Sequence, residues 1–186
     1  MRIIGGSNKR RVLKAPSGLP ARPTTDMAKE ALFNIINNHF DFETLRVLDL
    51  FAGTGNISFE FASRGAVEVV AVELNKRCTD YIAKTAESMQ FDNIAVIRAD
   101  VFRFIGRSRS IYDIIFADPP YDMRDIRLIP DMLIRNKLLS KGGWFVMEHH
   151  GSLQFDSHPA FLEKRKYGKV NFSFFSTQQK GTGIPE

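Results

Sequence analysis

The chain has 186 residues, of which 44% are hydrophobic and 25% charged, with a formal net charge of +5. That is ordinary globular usage, enough for one domain with its own core, and it excludes a disordered or fibrous protein. A single cysteine, Cys78, excludes a disulfide framework and fits a reducing compartment. No apolar run approaches the ~18 residues of a membrane span and the N-terminus lacks a signal-peptide core, so a soluble cytoplasmic protein is expected.

The positive charge has a location. Six of the 26 basic side chains (Arg2, Lys9, Arg10, Arg11, Lys14 and Arg22) and none of the 21 acids lie in residues 1–25. A localised basic arm suits a polyanion such as a phosphate backbone. Within it, Ile3-Ile4 and Val12-Leu13 flank Gly5-Gly6-Ser7-Asn8 and are expected to pair as a small hairpin. Residues 15–23, with three prolines, read as an extended connector. Thr24, Thr25 and Asp26 are N-cap types, and Ala28, Ala31, Leu32, Ile35 and Ile36 then follow helical spacing to about His39.

From there apolar strands alternate with helical segments. Strands are expected at 47–51, 67–73, 94–98, 111–117 and 144–148, with helices at 57–64, 75–89, 101–107 and 125–139. This alternation predicts an α/β, doubly wound, mostly parallel sheet. Residues 164–174 read as a hairpin turning at Gly168, and 178–186 as a polar tail. The domain plan is an arm at 1–25, a main domain at 26–177 and the tail. Glu148-His149-His150 superficially suggests a metal site. Adjacent strand residues point to opposite faces, however, so no metal is expected. Cys78 falls in a helix and reads as packing.

Two motifs carry chemistry. In Asp49-Leu50-Phe51-Ala52-Gly53-Thr54-Gly55, a strand enters a glycine turn that precedes a helix, and Glu73 closes the next strand 20 residues after Gly53. An acid there meets ribose hydroxyls in nucleotide-binding βαβ units. A lone Gly-x-Gly is shared with dehydrogenases. Here Ser58 replaces the third glycine, and Asp49 before the turn repels a pyrophosphate and suits a cationic ligand. S-adenosylmethionine, with a sulfonium and no phosphate, fits better than NAD.

The second motif, Asp118-Pro119-Pro120-Tyr121, ends the strand at 111–117. Two prolines fix φ and remove two backbone donors, leaving a stiff loop with a carboxylate, free carbonyls and a ring. Such a loop holds a planar amino group while its nitrogen is attacked. The plain alternative is a rigid turn with a surface tyrosine.

Together with Arg2-Ile3-Ile4-Gly5-Gly6, Arg22-Pro23-Thr24-Thr25-Asp26 and Glu30-Ala31-Leu32-Phe33-Asn34, these motifs make the chain resemble the RsmD family from Arg2 to about Glu148. The Asp-Pro-Pro-Tyr is shared with DNA adenine methyltransferases; the Arg-Pro-Thr-Thr-Asp segment is more discriminating. The resemblance implies a class I S-adenosylmethionine-dependent, Rossmann-like fold with seven strands and an antiparallel C-terminal hairpin. It implies methylation of the N2 amine of one guanine (position 966) in 16S ribosomal RNA or a small-subunit assembly intermediate, by a monomer. Asp49, Phe51, Ala52, Gly53, Gly55, Glu73, Leu74, Asp100 and Val101 would hold the cofactor. In this reading Asp100 takes the adenine amino group and the Val101 N–H a ring nitrogen, with a helix N-cap as the alternative role for Asp100. Asp118 and the Pro119 carbonyl would orient the target amine, with Pro120 stiffening the loop and Tyr121 stacking on the base. Arg2, Lys9, Arg10, Arg11, Arg22, Pro23, Thr24 and Thr25 would contact RNA. Rival readings are an N6-adenine methyltransferase on DNA or RNA, an NAD-dependent oxidoreductase, and a non-catalytic RNA-binding assembly factor.

Overall fold

The computed structural model describes residues 1–19, 25–120, 122–168 and 170–178. Its frame is a seven-stranded sheet in the order β3-β2-β1-β4-β5-β7-β6. The strands are β1 (Arg46–Leu50), β2 (Glu68–Glu73), β3 (Ile94–Arg98), β4 (Tyr112–Ala117), β5 (Leu139–His149), β6 (Phe161–Tyr167) and β7 (Val170–Phe175). β1 to β5 run parallel, and β7 inserts antiparallel between β5 and β6. This is the class I methyltransferase fold expected from the sequence. The strand order reverses between β1 and β4, and a cleft opens there at the carboxyl ends of the strands.

Among the described residues five α-helices cover the two faces: α1 (Asp26–Asn37), α2 (Asn56–Ser63), α3 (Lys76–Ser88), α4 (Val101–Arg107) and α5 (Ile129–Arg135). One apolar layer joins α1, α2 and α3 to the sheet through Phe33, Phe59, Phe61, Ile82 and Phe116. The opposite layer joins α4 and α5 through Val101, Ile105, Ile129 and Leu133. The central strands are buried on both faces, which is why they read as continuous apolar runs. Cys78 is buried in α3. Among the described residues no helix is long and apolar enough to cross a membrane.

Two boundaries differ from the sequence expectation. The helix expected over 125–139 is a 3-10 turn, Ile126–Leu128, followed by an α5 that stops at Arg135. Lys137 takes φ 56°. The Lys137 and Leu138 N–H groups donate back to the Ile134 and Leu133 carbonyls at 3.0 and 3.1 Å. That is a Schellman ending, which here uses lysine where the sequence signal would be glycine. Leu139 is thereby freed to start β5, which spans 11 residues to His149 rather than starting at Trp144. Gln90, at φ 57°, ends α3 in the same way. The His149 ring is spent on structure: Nε2 lies 2.7 Å from Ser173 Oγ and Nδ1 2.8 Å from the His150 carbonyl. Burial lowers its pKa, so it sits neutral in the sheet.

The basic arm is docked rather than loose. Residues 1–13 form a hairpin with an Arg2–Val12 bridge, whose backbone bonds include Ile3 N–H to the Arg11 carbonyl at 2.9 Å. Its turn sits on the end of α2: Ser7 N–H donates to the Ser63 carbonyl at 2.7 Å, and Ser63 Oγ to the Gly5 carbonyl at 2.7 Å. Gly6, at φ 73°, has no room for a side chain, because a Cβ there would lie 1.7 Å from the Ser63 carbonyl oxygen. Beneath the hairpin Glu60, fully buried, accepts the Ile4 and Gly5 N–H groups at 2.8 Å each. It also pairs with Arg64 at 2.9 Å and with buried Lys29 at 3.3 Å. Lys29 Nζ donates to the Arg2 carbonyl at 2.6 Å and to Asn56 Oδ1 at 2.9 Å. Burial pulls the Lys29 pKa down, and the Glu60 carboxylate opposes it.

Candidate active site

A cleft of about 950 Å³ lies over the ends of β1, β2 and β4, within the usual range for a cofactor-sized ligand. Of the nine residues expected to hold the cofactor, eight line it: Asp49, Phe51, Ala52, Gly53, Glu73, Leu74, Asp100 and Val101. Asp118, Pro119 and Pro120 line the same cleft from the end of β4. Residues distant in sequence thus meet because each follows a parallel strand. Leu19, Asn56, Asn75, Phe116, Asp122 and Met123 also line it. Their signal in the sequence is only adjacency to the two motifs or, for Leu19, a place in the connector.

The first loop is held in an unusual conformation. Phe51 has φ 62°, a left-handed value that costs a non-glycine residue of order 1–3 kcal/mol and persists only where the surroundings impose it. Here the Ala52 N–H donates to the Val72 carbonyl at 3.0 Å and pins the turn. Glu73 holds the other side: its carboxylate accepts the Gly53 N–H at 2.9 Å and the Asn75 N–H at 2.8 Å. Gly55 takes φ 78°, a left-handed value that favours glycine, and its surroundings are tightly packed. A Cβ there would lie 2.8 Å from the Phe59 ring and 3.1 Å from Ile82. It lines no part of the cleft among the described residues.

Asp49 is buried, with its carboxylate 2.5 Å from Ser58 Oγ. Ser58, in place of a third glycine, is therefore the partner of this acid. Burial pushes the Asp49 pKa up to about 7; the Ser58 hydrogen bonds oppose the shift and the charge of Glu73 adds to it. Asp100 caps α4, accepting the Arg103 N–H at 3.0 Å. The cap role is thus real, and the second carboxylate oxygen leaves capacity for a ligand. The residues present also offer an unused donor. Asn56 Nδ2 is buried and has no hydrogen-bond partner among the described residues. A ligand with both an amino-acid end and a ribose would fit this set, its carboxylate at Asn56, its ammonium at Asp49 and its ribose hydroxyls at Glu73.

The described residues expected to contact RNA fall into two places. Arg2 is exposed and pairs with Asp26 at 3.1 Å, and Thr25 caps α1 by accepting the Ala28 N–H at 3.2 Å. Lys9, Arg10 and Arg11 sit by the far ends of α2 and α3, where Arg11 reaches Met89 Sδ at 3.4 Å, and do not line the cleft. Arg22, Pro23, Thr24 and Tyr121 lie outside the described residues.

A family model described as "Conserved hypothetical protein 95" matches residues 1–176. The chain belongs to this family, the RsmD family. YlbH of Bacillus subtilis, an rRNA methyltransferase by name, is 34% identical over 182 residues, covering 94% of this chain and 98% of its own. Ribosomal RNA small subunit methyltransferase D of Escherichia coli K12 is 29% identical over 148 residues, covering 80% of this chain and 71% of its own. The structure of yhhF from Escherichia coli superposes with a TM-score of 0.83 at 26% identity, covering 96% of this chain and 99% of that one.

Two expectations follow from this RsmD-family cleft. Glu73→Ala should weaken S-adenosylmethionine binding about tenfold or more, since it removes the tie to Gly53 and the carboxylate expected to accept from the ribose; tenfold corresponds to ~1.4 kcal/mol. Calorimetry returning the wild-type affinity would make Glu73 a purely structural acid. The second concerns pH. A cationic ligand stabilises the Asp49 carboxylate and lowers its pKa below the free value of about 7. Binding near pH 7 should therefore release a proton, and affinity should rise as pH climbs toward about 7 and level off above it. Titration in buffers of different ionisation enthalpy measures that proton. Asp49→Asn should abolish its release, and equal release by wild type and variant would exclude Asp49 as its source.

Proposed function

We propose that this protein transfers a methyl group from S-adenosylmethionine to the exocyclic N2 amine of a guanine in 16S ribosomal RNA. The observation that carries the proposal is the meeting, in one cleft, of Asp118-Pro119-Pro120 with Asp49, Glu73 and Asp100. The ribosomal part rests on the relatives, and guanine 966 is the position the resemblance implies.

S-adenosylmethionine supplies an electrophilic methyl on a sulfonium. The chain's own residues bind, orient and exclude. Asp49, Glu73 and Asp100 fix the donor through its ammonium, ribose and adenine. The N2 lone pair of guanine is delocalised into the ring and is a poor nucleophile until the nitrogen becomes pyramidal. Acceptors on both N–H bonds favour that geometry, and the Asp118 carboxylate and the Pro119 carbonyl supply them. Pro120 keeps the loop stiff, so the acceptors need little reorganisation as the reaction proceeds. The nitrogen–methyl bond would form as the sulfur–methyl bond breaks, leaving S-adenosylhomocysteine, and the surplus amine proton would pass to solvent. No covalent enzyme intermediate is required, and Cys78 is buried in α3 and is not among the residues that line the cleft. Tyr121 stacks on the extruded base, a contact worth ~1–3 kcal/mol in single-strand binders.

The protein acts as a monomer on 16S RNA or a small-subunit assembly intermediate in the cytoplasm. Radiolabelled methyl transfer tests the substrate class. Incorporation into 16S RNA or the immature small subunit is expected, with little into 23S RNA, transfer RNA or DNA. Preferential labelling of DNA would contradict the reading.

A further inference from the structure

Counting charge over whole segments hides a second basic cluster. Residues 98–109 carry four arginines (Arg98, Arg103, Arg107 and Arg109) against one acid, Asp100. On the sequence Asp100, Arg103, Phe104, Arg107 and Ser108 are spaced i, i+3, i+4, i+7 and i+8, which is one face of a helix. The structure sets that face of α4 beside the end of β3 and forms a groove of about 600 Å³ lined by Arg98, Arg103, Phe104 and Arg107. The groove shares Leu74 and Asp100 with the cofactor cleft, so the two depressions adjoin. The opposite face of α4, Val101 and Ile105, is buried in the core and fixes the orientation of the basic face.

The three groove arginines are exposed. Among the described residues none of them is within ion-pairing distance of a carboxylate; Arg98 Nε donates only to the Leu74 carbonyl at 3.3 Å. By contrast Arg2 pairs with Asp26, Arg46 with Glu68, Arg64 with Glu60 and Arg165 with Glu163. Gathering like charges around one groove without such partners raises the energy of the free protein, and an anionic ligand relieves it. Guanidinium groups fit phosphate oxygens as two-pronged donors, and Phe104 offers a ring between two of them. Arginine interleaved with an aromatic residue along a groove is the arrangement that tracks a single-stranded phosphate backbone.

We propose that the α4 groove is an RNA-backbone site, in which Arg98, Arg103 and Arg107 hold phosphates of the strand that flanks the methylated nucleotide. This rests on the ribosomal RNA reading above and assigns a second contact surface, distinct from the N-terminal arm.

The test is the combined variant Arg103→Ala/Arg107→Ala, two exposed positions outside the cofactor cleft. Its affinity for fluorescein-labelled 16S RNA should fall about tenfold at physiological salt. The slope of log affinity against log salt should flatten by ~1 to 2 units, at ~0.7–0.9 for each phosphate no longer neutralised. The S-adenosylmethionine titration and melting temperature should stay at wild-type values. Arg103→Lys/Arg107→Lys keeps the charge and should retain most of the slope. Wild-type affinity and slope in the alanine pair would overturn the groove, as would a lysine pair that flattens the slope equally. Methyl transfer by the wild type is measured on the same RNA. Its absence defeats the functional reading, whereas normal transfer with an unchanged slope in the alanine pair defeats the groove alone.

Discussion

Asp118→Ala should lower the rate of methyl transfer by at least about 100-fold while changing S-adenosylmethionine affinity by less than about tenfold. Removing one preorganised hydrogen-bonding group from a reacting centre costs roughly 10²–10³ in rate, or ~3–4 kcal/mol. Asp118 stands at the end of β4 on the same cleft as Pro119 and Pro120, whereas the acids assigned to the donor lie within β1, at the end of β2 and after β3. Separate strands let the two functions fail separately. Single-turnover assays with saturating donor measure the rate, and calorimetry measures the donor affinity. A variant keeping more than a few per cent of the wild-type rate would remove Asp118 from its role.

Glu60→Ala should be the most damaging substitution for stability. It leaves the Lys29 ammonium buried without its carboxylate and the Ile4 and Gly5 N–H groups without acceptors. Breaking a buried pair from one side costs ~3–5 kcal/mol. At ~2–4 °C per kcal/mol for a chain of this size, the melting temperature should fall by roughly 10 °C. The hairpin should detach as well, giving fast amide exchange at Ile4 and Gly5. Replacing both partners, Lys29→Met with Glu60→Leu, should recover part of the melting temperature because the buried ammonium is removed, although Arg64 still loses its carboxylate. It should not restore the hairpin, whose donors still lack Glu60. A Glu60→Ala melting temperature within about 2 °C of wild type would mean that the network contributes little.

The parts of this protein legible in its sequence are those governed by local rules. Parallel strands buried on both faces give unbroken apolar runs, and alternation with helices implies their topology. In such a sheet, residues following strand ends must face one rim. Asp49, Glu73, Asp100 and Asp118 can therefore be brought to one site from the sequence alone. What escapes depends on partners far away in the chain. Ser58 reads as a missing glycine, whereas in the fold it is bonded to Asp49. Nothing in the local pattern marks Glu60 or Lys29, yet they anchor a hairpin whose N–H groups lie 56 and 55 residues from Glu60. Left-handed residues at Phe51, Gln90 and Lys137 carry no glycine signal, so the end of α5 and the start of β5 differ from the periodicity. The arginines of α4 are masked by acids elsewhere in the charge total.

The central claim is tested most directly by nucleoside mass spectrometry. 16S RNA is taken from a strain lacking this gene, incubated with purified protein and S-adenosylmethionine, digested and analysed. N2-methylguanosine should appear, approaching one per RNA molecule, and should be absent with Asp118→Ala. The appearance of N6-methyladenosine instead, or no methylated nucleoside on either naked RNA or the small subunit, would contradict the account.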